Sequence, residues 1–497
     1  MNEKKEDQPL KKKNKKKWML IFVVAAVAII YLGISFFFIK HYLPKTTING
    51  ISCSGKTVKQ LEDMIREDVE KYELTIQERG GSTEMLKGAD FSLKAEFDDT
   101  LTNILNGQHT FAWPVALFKG NDYEQDQMVS YDEAALTDLV NQLTCMDQDQ
   151  MTQSEDAKPV YSEEKQEFEI QPEVYGTYID NGAFQQKIKE NVVSLQSTLD
   201  LEKAGCYTDP VYTKDSQETK DACEKMNQMA STKITYDMVD IDSIEISKSD
   251  IAKWLTTDEN MNVTFNDEAL SQYVSDFANK YNTLYKKHTL KTSWGSDVTI
   301  TKGSYGWRLD QEKERKQLKE DVQAMQEVKR QPEYSRTAKS HTANDYGNTY
   351  VEINLTAQHL YFYKDGKKII DTDFVSGNVA KNTATPVGIY PVTYTQKDAT
   401  LRGDNYETPV SFWMPFNGGV GMHDATWRSK FGGTIYKTNG SHGCINLPYS
   451  AAQTIFQYLK KGDPVLVYEL PGTERSSSGS SSSGSSTTTD TQAATES

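Results

Sequence analysis

Thr438-Asn439-Gly440-Ser441-His442-Gly443-Cys444-Ile445-Asn446-Leu447-Pro448 is the stretch on which the fold and chemistry of this chain turn. Its glycines let backbone N–H groups approach a ligand closely, and a cysteine follows before a short apolar run. A thiol of ordinary pKa is only a few per cent thiolate at neutral pH. A nucleophilic cysteine therefore needs a base within hydrogen-bond reach and a group that orients the base. The chain has seven histidines, and besides His442 one lies a short way upstream, His423 in Gly421-Met422-His423-Asp424. His423 can supply the base, with Asp424, Ser441 or a backbone carbonyl to orient it. Zinc is the competing use of His423, Asp424, His442 and Cys444, but no second cysteine or His-x-x-x-His spacing accompanies them. No metal and no cofactor is expected.

Outward from this stretch, residues 349–469 read as a mostly β domain. Val351, Ile353 and Leu355 alternate in strand fashion, and Leu360-Tyr361-Phe362-Tyr363 meets Lys367 to Asp371 across Asp365-Gly366, a strong hairpin signal. Residues 471–497 are Ser/Thr-rich and too polar to bury a core, which predicts a disordered tail. Upstream, Ser335 to Asn348 reads as a linker, because apolar periodicity stops and Ser, Thr, Asn and Gly accumulate. Before it lies an internal repeat. Glu173 to Asp180 recurs as Gly303 to Asp310, and Tyr131-Asp132-Glu133-Ala134-Ala135-Leu136 as Phe265-Asn266-Asp267-Glu268-Ala269-Leu270. These landmarks predict an α+β unit in 130–215 and a second in 216–339, with repeating cores at about 130–200 and 262–325. Residues 40–129 form a membrane-proximal α+β region, whose Val58, Leu61, Ile65 and Val69 lie on one helical face.

The 22 residues 18–39 carry no charge and as a helix span roughly 33 Å, enough for a bilayer core. A cleaved signal would be shorter and end in a small-x-small site, whereas Lys40-His41-Tyr42-Leu43-Pro44 follows. Residues 1–17 hold eight Lys against three acidic residues, which predicts a cytoplasmic basic tail, an uncleaved single-pass anchor and everything after Lys40 outside. The whole chain of 497 residues carries a net charge of −16, so the remainder carries −21 and nucleic acid is excluded as its expected partner. A mean hydropathy of −0.65 excludes a polytopic membrane protein. Cysteines stand at 53, 145, 206, 223 and 444, an odd number. Outside the membrane, disulfides among Cys53, Cys145, Cys206 and Cys223 are expected, with three possible pairings.

His423, a 17-residue spacer and Ser441-His442-Gly443-Cys444-Ile445-Asn446 together resemble the signature of the L,D-transpeptidases of bacterial cell walls, with their YkuD-type catalytic domain. Ala384-Thr385-Pro386-Val387-Gly388-Ile389-Tyr390, Leu401-Arg402-Gly403, Trp413-Met414-Pro415-Phe416 and Trp427-Arg428-Ser429 are similar too, so the resemblance spans about 350–468. More weakly, the preceding repeats resemble peptidoglycan-binding-type modules. The resemblance implies a mostly β, sandwich-like catalytic domain after an α+β stalk. It makes Cys444 the nucleophile and His423 the proton acceptor and donor. His442 shapes the loop, the Gly443 and Cys444 backbone N–H groups form an oxyanion hole, and Asp424, Ser441 or a backbone carbonyl orients His423. Trp413, Trp427, Asn446 and Tyr406 are the implied substrate contacts, although Trp413 and Trp427 read equally well as core aromatics, and Asn446 stands where many members carry Arg.

The implied reaction joins peptidoglycan stem peptides: a tetrapeptide loses D-Ala to a Cys thioester, which a neighbouring amine resolves into a 3-3 cross-link. Carbapenem-type β-lactams are the implied covalent inhibitors. Hydrolysis of the same thioester, as in an L,D-carboxypeptidase, and a non-catalytic wall-binding scaffold are the alternatives.

Overall fold

The computed structural model describes residues 12–124, 128–403, 406–475 and 478–479. Most of the basic tail and of the Ser/Thr-rich tail lies outside the described residues. The chain divides into two compact units, residues 1–158 with 171–219, and residues 159–170 with 220–497. It begins with one long helix, Lys12–Phe37, whose apolar part Lys16–Phe37 is long enough to cross a membrane. The helix stops two residues short of the expected Ile39, because side chains take over its last carbonyls. His41 Nδ1 bonds to Phe37 O at 2.7 Å, and Gln108 Nε2 donates to the carbonyls of Phe38 and His41 at 2.5 and 2.7 Å.

In the first unit, a capping box between Thr57 and Gln60 starts the helix Val58–Glu70, which buries Leu61, Ile65 and Val69. The strand Glu73–Gln77 turns Leu74 and Ile76 inward, and the helix Asn181–Val193 adds Phe184, Ile188 and Val192. All of these share one core with Tyr42, Leu136 and Val140. The expected division between 40–129 and 130–215 is therefore absent from the packing: each amphipathic element has one apolar face and buries it only against the others.

The repeat is larger than its sequence landmarks. Glu73–Gln77 pairs antiparallel with Thr83–Lys87 and parallel with Thr198–Asp200. In the second unit Ile234–Tyr236 pairs antiparallel with Ile244–Glu245 and parallel with Val328–Arg330. A helix precedes each sheet, Val58–Glu70 and Gln217–Ala230, and a small antiparallel pair follows, Lys94–Ala95 with Val129–Ser130 and Leu255–Thr257 with Val263–Phe265. Then come two helices in each copy, capped by Asp132 and Asp180 in the first and by Asn266 and Asp310 in the second. The copies run from 58 to 200 and from 217 to 330. The first carries extra helical turns between Thr100 and Ala116, which displace its opening half out of register with the second.

The β-rich part of the second unit holds two sheets over one core. The strand Tyr350–Asn354 lies between His359–Lys364, antiparallel, and Pro464–Tyr468, parallel; Lys367–Asp373 and Gly388–Pro391 complete five strands. Asp365 and Gly366 both have positive φ, 49° and 76°, as a two-residue hairpin turn demands. The second sheet orders Gln396–Gly403, Tyr406–Asn417, Val420–Asp424 and Ile445–Leu447. Ile353, Phe362 and Val467 of one sheet meet Met414, Met422 and Leu447 of the other, with Ile455 from the helix Tyr449–Tyr458.

Two expectations are corrected here. The stretch from Ser335 to Asn348 is packed, not a free linker: Trp307 Nε1 donates to Ser340 O at 2.6 Å, Tyr305 OH donates to Asp345 O at 3.2 Å, and Ser340, Asp345 and Tyr346 are buried. Its small polar residues serve turns whose backbone groups are satisfied. All five cysteines are free thiols. Cys53 and Cys206 act as small apolar core side chains, and the Cys223 thiol donates to Phe168 O.

The second repeat copy and the β domain share a further cluster, Leu290, Ile300 and Tyr305 with Ile389, Leu466 and Tyr468. Gly303 seals it through a parallel bridge to Ile389, at φ 127°, and a Cβ there would stand 2.0 Å from Ile389 O. Gly303→Ala is thus expected to destabilise the second unit by more than about 1 kcal/mol and to open a protease-sensitive site between Ile300 and Tyr350. Thermal unfolding with limited proteolysis measures both, and an unchanged melting point with no new cleavage would show that this contact is dispensable.

Candidate active site

Parallel pairing of two short strands builds the site. Met422 is registered with Ile445, His423 with Asn446 and Asp424 with Leu447. Cys444, one residue before Ile445, therefore falls opposite Gly421. Residues two apart share a face, so His423 and Cys444 project from the same side of the sheet. Gly421 has no room for a side chain, since a Cβ would stand 2.7 Å from the Trp413 ring.

The turn before Cys444 is pinned on several sides. Ser441 N donates to Ser376 O and Asn378 N to Ser441 O, each at 2.9 Å. Thr383 Oγ1 donates to Ser441 O at 3.0 Å and Thr385 Oγ1 to Gly443 O at 2.7 Å. Ser441 Oγ donates to Cys444 O at 2.5 Å and accepts from Gly443 N at 3.0 Å. The Gly443 N–H, expected to face an oxyanion, is thus engaged by Ser441, because its φ of 123° turns it back into the loop.

His423 is almost wholly buried. Its Nδ1 lies 2.8 Å from Asp424 O, and since a carbonyl only accepts, Nδ1 carries the proton and Nε2 presents a lone pair. A backbone carbonyl is therefore what orients this ring. The Asp424 carboxylate is occupied elsewhere, accepting from Phe412 N at 2.9 Å. Burial lowers the His423 pKa below the ordinary imidazole value, the Asp424 carbonyl and carboxylate oppose that shift, and Arg428 adds to it. Burial also raises the Cys444 thiol, partly offset by a hydrogen bond from the Gly421 backbone. Both shifts favour the neutral forms, thiol and imidazole.

Both side chains line one open cavity of about 190 Å³, with Ser441, His442, Trp427, Arg428 and Asn446 on its walls. Trp427 is 51% exposed, and its ring centroid lies 5.9 Å from that of His423. Trp413, expected among the substrate contacts, does not line the cavity. It is buried with Ala399 and Val410 and supports Cys444 from beneath, because its place opposite His423 in the sheet turns the indole over Gly421. Asn446 is buried, exchanges backbone hydrogen bonds with Val375 and leaves its Oδ1 without a partner among the described residues. His442 is exposed on the cavity rim. Tyr406 opens the long strand Tyr406–Asn417, and its side chain lies outside the described residues.

Arg428 and Thr385 were not singled out individually by sequence reasoning. The Arg428 guanidinium is half-buried on the cavity wall, donates through Nη1 to Asn439 O at 3.0 Å and makes no ion pair with a described residue. The only sequence signal for either was its place within a family-like fragment, Trp427-Arg428-Ser429 or Ala384-Thr385-Pro386.

Residues 348–467 match the L,D-transpeptidase catalytic domain model named YkuD, and residues 215–329 match a peptidoglycan binding domain model. No curated protein matches the chain. Among solved structures, a mutant of the Enterococcus faecium L,D-transpeptidase is 39% identical over 49% of this chain and 98% of that one, with a TM-score of 0.42. The catalytic domain of the E. faecium enzyme, solved acylated by ertapenem, is 47% identical over 24% of this chain and 98% of that one, with a TM-score of 0.23. An L,D-transpeptidase from Mycobacterium tuberculosis is 20% identical over 24% of this chain and 58% of that one, with a TM-score of 0.22. Through the domain that carries His423 and Cys444, the chain belongs to the YkuD family of L,D-transpeptidases.

Proposed function

We propose that this protein forms 3-3 cross-links between peptidoglycan stems through a thioester on Cys444. The observation that carries the reading is the placing of His423 and Cys444 on one face of a sheet, over one cavity, with the His423 Nε2 lone pair free to accept a proton. His423 takes the thiol proton as sulfur attacks the carbonyl at the L-centre of the third stem residue. The oxyanion accepts from the Cys444 backbone N–H and, once Ser441 releases it, from Gly443. The C–N bond then breaks, His423 returns the proton to the departing D-Ala amine, and the acyl group remains on sulfur. An amine of a second stem attacks the thioester carbonyl, the C–S bond breaks, and His423 carries the amine proton to sulfur, which restores the thiol.

Trp427 and Asn446 flank the bound donor, and Arg428 receives its terminal carboxylate. The Lys-rich end before the apolar helix supports an N-inside, uncleaved anchor with the catalytic domain facing the wall. The match at 215–329 supports binding of wall polymer beside the active site.

Incubation with a disaccharide tetrapeptide, followed by mass spectrometry of the muropeptides, is expected to show the 3-3 dimer. Cys444→Ala should lower its yield at least about a thousandfold with melting temperature unchanged. Tripeptide without dimer would assign a carboxypeptidase instead, and no turnover of any kind a binding scaffold. Because the E. faecium catalytic domain is acylated by ertapenem, the intact wild-type chain should gain one drug mass with that carbapenem and the Cys444→Ala variant none.

The bias of both groups to their neutral forms predicts the pH behaviour. Alkylation of Cys444 by iodoacetamide, followed on its own peptide, should keep rising past the ordinary thiol value of about 8.5. The acid limb of kcat/KM should lie below the ordinary imidazole value of about 6.5, because burial keeps His423 unprotonated to lower pH. An alkylation plateau near neutrality would indicate a thiolate–imidazolium pair.

A further inference from the structure

The loop between His109 and Lys119 exposes large apolar side chains in a run without charge: Phe111 is 54% exposed, Val115 62%, Leu117 45% and Phe118 87%. Four such residues within eight are a contiguous patch of the kind that marks an interaction surface. The other side of the loop is fastened to the apolar N-terminal helix. Trp113 and Ala116 pack with Ile34, Phe38 and Leu43. Tyr31 OH donates to Phe111 O at 2.7 Å, and the Tyr31 ring lies 6.4 Å from that of Phe111 and 6.1 Å from that of Trp113.

Tyr31 is six residues before the end of the helix at Phe37. At 1.5 Å per residue the loop therefore reaches back along the helix by about 9 Å, into the depth that a bilayer's hydrocarbon would occupy around a span of this length. A loop at that depth must satisfy its own backbone, and this one largely does. Ala112 N donates to His109 O, Leu117 N to Trp113 O, and both Phe118 N and Lys119 N to Val115 O, while Pro114 has no N–H to satisfy. Gln108, which caps the helix carbonyls and accepts from Leu43 N at 3.0 Å, clamps the base of the loop to the helix end.

We infer that residues 110–118 form a second membrane contact, an apolar wedge seated in the outer acyl-chain boundary beside the helix, with lipid as its partner. The inference rests on reading Lys16–Phe37 as a membrane span. Two contacts at different radii from the helix axis would set the tilt of the first unit against the membrane, which a single helix leaves free.

The test places a photoreactive diazirine side chain, one position at a time, at Ile29 on the helix, at Phe118 on the loop, or at Val211, an exposed apolar residue of the same unit outside the loop. The full chain is reconstituted in phosphatidylglycerol–phosphatidylcholine vesicles, irradiated and digested for mass spectrometry. Lipid adducts are expected at positions 29 and 118, at least tenfold above position 211. Adducts at 29 with position 118 no higher than 211, or position 118 cross-linked to protein instead of lipid, would overturn the wedge and leave the span intact. No lipid adduct at 29 would overturn the span and the wedge with it.

Discussion

The parallel pairing of Val420–Asp424 with Ile445–Leu447 is the constraint on which the rest of the active site depends. Side chains alternate along a strand, so a slip by one residue would send Cys444 to the face opposite His423. Several independent bonds hold that register. Asn446 exchanges both backbone hydrogen bonds with Val375, Thr385 holds the Gly443 carbonyl, and the Asp424 carboxylate ties its strand to Phe412 N on the neighbouring strand. None of these groups need touch a substrate, yet each fixes where the sulfur and the imidazole stand.

Electrostatics at the site follows from the same packing. A buried imidazole whose Nδ1–H is committed to a carbonyl has one tautomer and one accepting nitrogen, without a charged partner to orient it. Arg428 nearby opposes protonation of that ring and keeps a positive charge at the cavity wall. An imidazole biased to its neutral form beside a fixed cation would suit the proposed acyl donor, which carries a negative end.

Much of this was legible in the sequence because it rests on local pattern. The uncharged 22-residue run, the Asp365-Gly366 hairpin and the pairing of His423 with a Ser-His-Gly-Cys turn each carry their signal within about two dozen consecutive residues. What escaped was tertiary. Residues 40–129 and 130–215 share a core because their apolar stripes complete one another, which no single stripe reveals. The first repeat copy was cut short because the turns between Thr100 and Ala116 shift its opening half. Trp413 and Trp427 are the same residue type in similar surroundings of sequence, but Trp413 lies in a strand paired with that of His423 and packs beneath the sulfur, while Trp427 lies in the turn after the His423 strand and lines the cavity. The segment after Ser335 is polar yet packed, since composition reports what side chains prefer and not whether turns satisfy the backbone.

The burial that raises the Cys444 pKa has a bearing on how long the enzyme lasts. Peroxide and disulfide reagents attack the thiolate far faster than the thiol. If Cys444 is the nucleophile proposed above, burial favours its thiol form until His423 takes the proton, and its exposure to oxidation falls chiefly during turnover. On the orientation proposed above, which puts the domain beyond any glutathione pool that restores a sulfenic acid, a sulfur that stays a thiol between substrates would be spared through long idle periods.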